Sequence, residues 1–560
     1  MEHAGASASE YSWAVARRAE FVLCGVMAFL YVVPLTLTRY FPGSDLPWHA
    51  AIVEIMRSPA PEREFLGYFT VDGQFSSYLT LYVTALGLAA LVGDTVIAIQ
   101  LVIAVYVVAF VLAAYYLMRS FGGRGSTAVL AAPAAYSLVL EFGFVTYALT
   151  YPMTLALWAV LRRYMAGYSV GRASDRDRHG GWIALCVGFL LAGLIAMTHP
   201  FAAAIAVAGV LIVLGTHLDS GRVRRGAVAG LVVLAAMAPA MWAVAALSGD
   251  PSAILGGLPA GPMDQQFTAL SESLSALPGR LFGYLGSGWA AAILLLGLCA
   301  AVLTRILGMS VANASARDVT GARSRALIWL AAALAAFYLV TPFTFEWPRF
   351  WYAAQPRLLP LLWVVLLAAI EVVPRTAIGL GRGAGGRPAI RSVWAGSMTV
   401  SVLALIVLMA GTFVPFADEA ADFRAVITRA APRSRTLALI EQRRTIDRKP
   451  PSPWRNAAAY LLVERHGFVS GLPFTESRAG NAGMLVPVQR KRESPRVPAA
   501  PPMGFPRSFD MSRHGPGWTQ LLIRDLDPHN RFDYVSPRAV DVRLVVTRGR
   551  WRLYAFSIPE

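Results

Sequence analysis

The chain has 560 residues, 56% of them hydrophobic and only 15% charged, against about 25% charged in soluble domains. This composition excludes an ordinary soluble enzyme. The net charge of +17 would suit nucleic acid if the basic residues formed one polar patch. They lie mostly in short loops between apolar runs, so membrane topology accounts for them and no nucleic-acid partner is expected.

The apolar runs fall at 20–38, 95–117, 127–161, 182–218, 227–247, 288–304, 326–343, 357–374 and 392–416. Nothing of the small-x-small kind follows the first, which therefore reads as a retained span. Two runs, 127–161 and 182–218, would each exceed about 50 Å as one helix, too long for a bilayer core of about 30 Å. Each is interrupted, the first by Glu141-Phe142-Gly143 and the second by His199-Pro200. Read as hairpins, they bring the count to about eleven spans.

Arginine sets the sides. Arg17 and Arg18, Arg119 and Arg124, the 162–178 group, Arg222 to Arg225, the 305–325 group and the 375–391 group fall in alternate loops. The positive-inside rule then puts the N-terminus in the cytoplasm and everything after residue 416 outside. The run 75–93 would break this alternation as a span. It reads as a helix lying on the outer surface or dipping into it, within an outer loop 39–94. The preference for Arg over Lys suits a GC-rich bacterial genome, and the expected location is the inner (cytoplasmic) membrane of a cell envelope. Cys24, Cys186 and Cys299 all lie in apolar runs, so no disulfide framework or cysteine-held metal is expected.

Residues 1–416 thus form a multi-span domain and 417–560 a small extracytoplasmic α/β domain. In the latter, 418–431 and 454–466 read as helices and 436–440 as a strand. The segments 542–546 and 551–556 read as a hairpin around Arg548-Gly549. The Pro- and Arg-rich stretch 488–516 reads as irregular.

Polar groups in or beside spans are functional leads. Under this topology they gather at the outer leaflet: Asp45, His49, Glu54 and Arg57 after the first span, Glu141 and Tyr147 at one hairpin tip, His199 at the other, and Glu346, Arg349, Gln355 and Arg357 before the tenth span. Ser44 or Asp45 can cap a helix with Pro47 in its first turn, which puts His49 one turn on near the same face. There a carboxylate can take a proton from a hydroxyl or hold a divalent ion against a phosphate. The plainer readings are a helix cap for Asp45, an interface anchor for Trp48 and a surface role for His49. His199 can join Asp45 and His49 around a metal, hydrogen-bond a sugar, or simply sit hydrated at the interface. Arg349 and Arg357 flank Phe350-Trp351-Tyr352, where a bidentate phosphate contact and an aromatic belt with snorkelling Arg are both open. Glu141 beside Gly143 reads chiefly as a turn. There is no phosphate-binding loop, dinucleotide fingerprint, zinc-protease helix or serine elbow, so no nucleotide cofactor is expected.

With Gly43-Ser44-Asp45-Leu46-Pro47-Trp48-His49 in its first outer loop, a surface helix in that loop and an outer C-terminal domain, the chain resembles the GT-C superfamily of membrane glycosyltransferases. This group includes protein O-mannosyltransferases and the aminoarabinose and arabinosyl transferases that use polyprenyl-phosphate sugars. The runs Gly143-Phe144-Val145-Thr146-Tyr147 and Thr198-His199-Pro200 resemble stretches of bacterial members. The resemblance implies a polytopic α-helical fold and a lipid-linked sugar donor within the membrane lipids. It also implies an acceptor glycan, lipid or protein, for which the C-terminal domain is the expected binding module. Asp45 would be the catalytic base or a metal contact, with Mg or Mn as the ion. Arg349 or Arg357 would hold the donor phosphate, and His49, Glu54, Glu141, Tyr147 and His199 would line the substrate site. Many members carry two adjacent acids where this chain has only Asp45, so Glu54 or Asp72 is expected to supply the second charge. A lipid or sugar transporter or flippase is a competing class, disfavoured by the lack of a repeat. A non-catalytic scaffold with an outer binding domain is another.

Overall fold

The computed structural model describes residues 20–60, 65–71, 78–123, 125–166, 175–216, 223–247, 268–285, 317–345, 351–372, 387–440, 453–471, 488–490, 509–524 and 542–556, with residues 18, 498 and 500. Twelve helices are used below: α1 (Leu46–Arg57), α2 (Leu79–Val92), α3 (Thr95–Ser120), α4 (Thr150–Ala166), α5 (Asp175–Thr198), α6 (Pro200–Gly215), α7 (Val223–Leu247), α8 (Leu270–Phe282), α9 (Arg317–Val340), α10 (Leu359–Val372), α11 (Arg387–Ile427) and α12 (Ala459–Arg465). Among the described residues, four segments are long and apolar enough to cross a membrane: Glu20–Leu37, Thr95–Ser120, Gly180–Thr198 and Gln355–Val372. Large apolar side chains stand exposed along the helices, among them Phe29, Val105, Trp182, Leu211, Leu231, Trp329 and Val407. Water does not tolerate so much apolar surface, whereas lipid does. The chain is a polytopic helical membrane protein. The run at 288–304 lies outside the described residues.

The chain divides into two compact units. One comprises Met1–Val33, Ala104–Val139 and Thr146–Met409, the other Pro34–Ile103, Leu140–Val145 and Ala410–Glu560.

In the first unit α5 packs between α4 and α7, and α6 lies against α4. Gly209 of α6 leaves room for the Trp158 indole of α4, whose Nε1 donates to the Ala206 carbonyl at 3.1 Å. The expected hairpin at 182–218 takes shape as α5 and α6. His199 between them has an extended backbone (φ −165°, ψ 117°), and Pro200 opens α6. The residue before a proline is pushed out of the helical region. The first half of 127–161 is not one helix: a 3-10 turn Ser126–Ala131 leads to the short helices Ala132–Ala135 and Leu138–Glu141.

The second unit is built on a five-stranded sheet. Its strands are β4 (Arg435–Ile440), β5 (Phe468–Val469), β7 (Gln520–Arg524), β8 (Arg543–Arg548) and β9 (Trp551–Ala555). The order is β5-β4-β7-β9-β8, parallel among β5, β4 and β7 and antiparallel from β7 to β9 and β8. The expected hairpin around Gly549 is β8–β9. The stretch expected to be irregular opens with β6 (Val488–Arg490), which pairs antiparallel with β1 (Phe69–Val71) of the segment 39–94. The remaining strands, β2 (Thr344–Phe345) and β3 (Trp351–Tyr352), pair within the first unit. The helix expected at 418–431 is not separate. It is the end of α11, which continues unbroken through Pro415 to Ile427. There Phe423 packs on Trp551 at 4.5 Å, and Glu419 accepts from Arg524 Nε at 2.7 Å.

Candidate functional site

In the second unit, the proline-led start of α1 sets Asp45 at the N-cap, yet its side chain makes no capping hydrogen bond. Asn456, in the turn before α12, donates Nδ2 to Asp45 Oδ1 at 3.0 Å and to the Ser44 carbonyl at 2.9 Å. From Phe41 to Ile55 every residue is buried except Asp45, which is half-buried. A carboxylate is thus held at the mouth of a buried helix, where the helix dipole and the Asn456 N–H both direct positive potential onto it.

The Glu141-Phe142-Gly143 turn supports Asp45 through backbone. Ser44 N donates to the Glu141 carbonyl at 2.9 Å and Asp45 N to the Phe142 carbonyl at 3.0 Å. Gly143 has φ +81°, and a Cβ there would stand 2.7 Å from Asp45 N. Only glycine combines that backbone with that approach.

His49 is buried, so the surface reading is corrected. Its Nδ1 lies 3.0 Å from Tyr82 Oη of α2. Burial drives its pKa down to about 4, partly opposed by a hydrogen bond to the Gly143 backbone. His49 is a neutral bracket joining α1, α2 and the Gly143 turn. Glu54 does not supply a second acid beside Asp45, for it lies nine residues, about 13 Å, further along α1. It accepts a short hydrogen bond from Thr95 Oγ1 and faces Arg57 and His466, each at 3.5 Å. Burial would raise its pKa, but His466, Thr95 and Arg57 together hold it low. Asp72 lies outside the described residues.

A second network escaped the sequence reading. Arg39 Nη2 meets Asp94 at 2.7 Å and Glu464 at 3.0 Å, and Tyr40 Oη donates to the same Glu464 oxygen at 3.0 Å. Asp94 Oδ1 also accepts from Ile97 N at the start of α3. These groups tie the two ends of the segment 39–94 to α12.

In the first unit, Tyr147, His199 and Arg357 come together. Arg357 Nη1 donates to His199 Nε2 at 3.1 Å, and its guanidinium lies 5.0 Å over the Tyr147 ring. Tyr147 and His199 meet edge to face at 4.8 Å. Tyr151 Oη donates to the Arg357 carbonyl at 2.9 Å, which fixes the turn bearing it. All three side chains are buried. The result is a dry, cationic, aromatic-walled cluster that can bind an anion. Arg349 lies outside the described residues.

Neither histidine fits the expected metal role. His199 Nε2 accepts from a guanidinium, and the His49 ring is engaged with Tyr82 and Gly143. Among the described residues no group of three His, Cys, Asp or Glu is placed to hold a metal ion.

No family model matches the chain, and no curated protein matches its sequence. The solved structures similar to the chain include those of ArnT from Cupriavidus metallidurans bound to undecaprenyl phosphate and in the apo state. Each has a TM-score of 0.51 at 12% identity, covering 97% and 98% of this chain respectively and 98% of the ArnT chain. The chain therefore shares the fold of ArnT over nearly its whole length.

Proposed function

We propose that this protein is a glycosyltransferase that moves a sugar from a polyprenyl-phosphate donor to an acceptor at the outer face of the membrane. The observation that carries this reading is Asp45: a half-buried carboxylate held by a distant amide at the buried N-terminal end of α1, in a chain with the ArnT fold. Asp45 takes the proton of the acceptor hydroxyl. The hydroxyl oxygen bonds to the anomeric carbon, and the bond from that carbon to the phosphate oxygen breaks, releasing the polyprenyl phosphate. For the Tyr147–His199–Arg357 cluster we propose phosphate recognition, since a buried guanidinium stabilises phosphate charge strongly. The proposal includes about eleven spans, a cytoplasmic N-terminus and an extracytoplasmic C-terminal domain that receives the acceptor.

Purified protein in nanodiscs, given polyprenyl-phosphate sugars and membrane lipid acceptors, tests the reaction. Transfer by the wild type and none by Asp45→Asn, at equal yield and Tm, supports it. Undiminished transfer by Asp45→Asn overturns it. Impermeant thiol labelling of cysteines placed near Asp45 and in the C-terminal domain of intact cells tests the sides, and a cytoplasmic Asp45 sinks the reading.

A further inference from the structure

Arg524, the last residue of β7, has no exposed side-chain surface. Its charge is met by Glu419 of α11, with Nε donating to Oε1 at 2.7 Å. Arg550 stands 3.8 Å from the other Glu419 oxygen. The Arg524 guanidinium carbon lies 5.6 Å from the Trp454 ring centroid and 5.8 Å from that of Trp551. The two indoles meet at 5.2 Å and 69°. Phe416 stacks on Trp454 at 4.7 Å, and Phe423 meets it edge-on at 5.6 Å. Phe416, Glu419 and Phe423 are spaced i, i+3 and i+7, so one stripe of α11 supplies all three. Trp454 is thus held by three elements at once: α11, β7 and β9.

Trp454 lies in the turn 453–458, which also carries Asn456. The Trp454 carbonyl accepts from Ala457 N at 3.1 Å, and the Asn456 carbonyl accepts from Ala459 N at 3.0 Å as α12 begins. A turn closed by such bonds moves with the residue that anchors it. Asn456 in turn holds Asp45 Oδ1 and the Ser44 carbonyl. Contacts therefore run from Arg524 through Trp454 and its turn to Asp45, all inside the second unit. Taking two charges out of water offsets most of their attraction, so a pair of this kind adds little net stability. What it supplies is orientation. A guanidinium fixed by a carboxylate presents its flat face to a ring in one direction. An apolar side chain of the same volume would fill the space without setting the plane of Trp454.

We propose that Arg524, locked by Glu419, is a positioning residue: through Trp454 it sets the turn whose Asn456 orients Asp45. With no exposed surface it meets no substrate itself. The inference rests on the reading of Asp45 as the base. It gives the five-stranded sheet a part in that reaction, because the register of β7 on β9 sets Arg524 opposite Trp551, and both flank Trp454.

The test reads Asp45 directly in the full-length protein in detergent. A water-soluble carbodiimide with glycine methyl ester couples to protonated carboxyl groups, and mass spectrometry of peptides follows Asp45 individually as pH is varied. Asn456→Ala sets the reference. Without its donor the carboxylate keeps its proton to higher pH, so labelling near pH 6 should rise about threefold or more. Arg524→Met should give a rise of the same size. The double variant should show no further rise, because Arg524 acts through Asn456. Unchanged labelling in Arg524→Met beside a lowered Tm overturns the proposal, since the residue then only packs. A rise that adds to that of Asn456→Ala overturns it too. Glu419→Gln keeps the shape of the pair and removes its charge. It should raise labelling in the same direction, and it decides the matter if Arg524→Met does not fold. Labelling needs no turnover, so the two readings can fail separately. Matching shifts in a protein that transfers no sugar sink the glycosyltransferase reading and leave the positioning standing. Sugar transfer by the wild type, with Asp45 indifferent to both Arg524 and Glu419, does the reverse.

Discussion

Asn456 donates one amide hydrogen to the carboxylate of Asp45 and the other to the adjoining Ser44 carbonyl, across 411 and 412 residues of sequence. This pair defines where the carboxylate points. An Asn456→Ala variant loses a hydrogen bond to a charged group, an interaction of about 1.5–3 kcal/mol. We expect kcat/KM for sugar transfer to fall about tenfold or more, and the acid limb of the pH–rate profile to move upward as the carboxylate loses its donor. Asn456→Asp should move that limb further. A profile that keeps its shape in both variants would show that Asn456 only packs.

Removing the proposed base itself is the larger perturbation. General acid–base groups contribute about 10²–10⁴ in rate, so Asp45→Asn should lose that much turnover in a donor-to-acceptor assay. Its thermal midpoint should hold, because Asp45 contributes no cap to α1.

Gly143→Ala should damage the same step from the opposite side. The new Cβ meets Asp45 N at 2.7 Å and Leu46 N at 2.8 Å, on a backbone at φ +81°. Strain of this kind costs about 1–3 kcal/mol. A lower Tm together with lost turnover is expected, and an unchanged Tm would show that the turn can move away.

His49 gives the fold a pH dependence with a definite sign. Its folded pKa, near 4, lies below the ordinary value of 6.5. Between the two the unfolded chain binds the extra proton, so stability is full above about 6.5 and falls as pH drops towards 4. The loss is on the order of 3 kcal/mol. Thermal melts in detergent across that window should show a steeper decline for the wild type than for His49→Gln, which has no ring to protonate. Parallel curves would remove His49 as the cause.

Arg39→Met should loosen the link between the outer loop and α12. It leaves Asp94 and Glu464 without their shared guanidinium. The groups are partly exposed, which discounts the loss to roughly 1–3 kcal/mol, below that of a fully buried pair. Limited proteolysis of the 459–471 region should quicken, and a double-mutant cycle with Glu464→Gln isolates the pair.

What was legible in the sequence was local. The break at His199-Pro200 follows from proline's steric demand, and the β8–β9 hairpin from alternation about Arg548-Gly549. Strand β7 gave no such signal, because all five of its residues are buried and a strand covered on both faces loses its alternation. Asp45 stood out by its setting. The partners that give it meaning did not, since the Phe142 carbonyl lies about one hundred residues away and Asn456 more than four hundred. Spacing put His49 on the face of Asp45 but could not reveal that this face is buried. Glu54 was misread for a related reason: a nearby acid in sequence is distant along a rigid helix, and its own partners come from α3 and from the residue after α12.

The span between Asp45 and Asn456 also sets a clock. At roughly 5–20 residues per second of synthesis, the 411 residues separating them take about 20 to 80 seconds to follow. Throughout that interval the carboxylate has been made and its orienting amide has not, while strand β1 waits equally long for β6. The Asp45 site can therefore be completed only as the last quarter of the chain arrives.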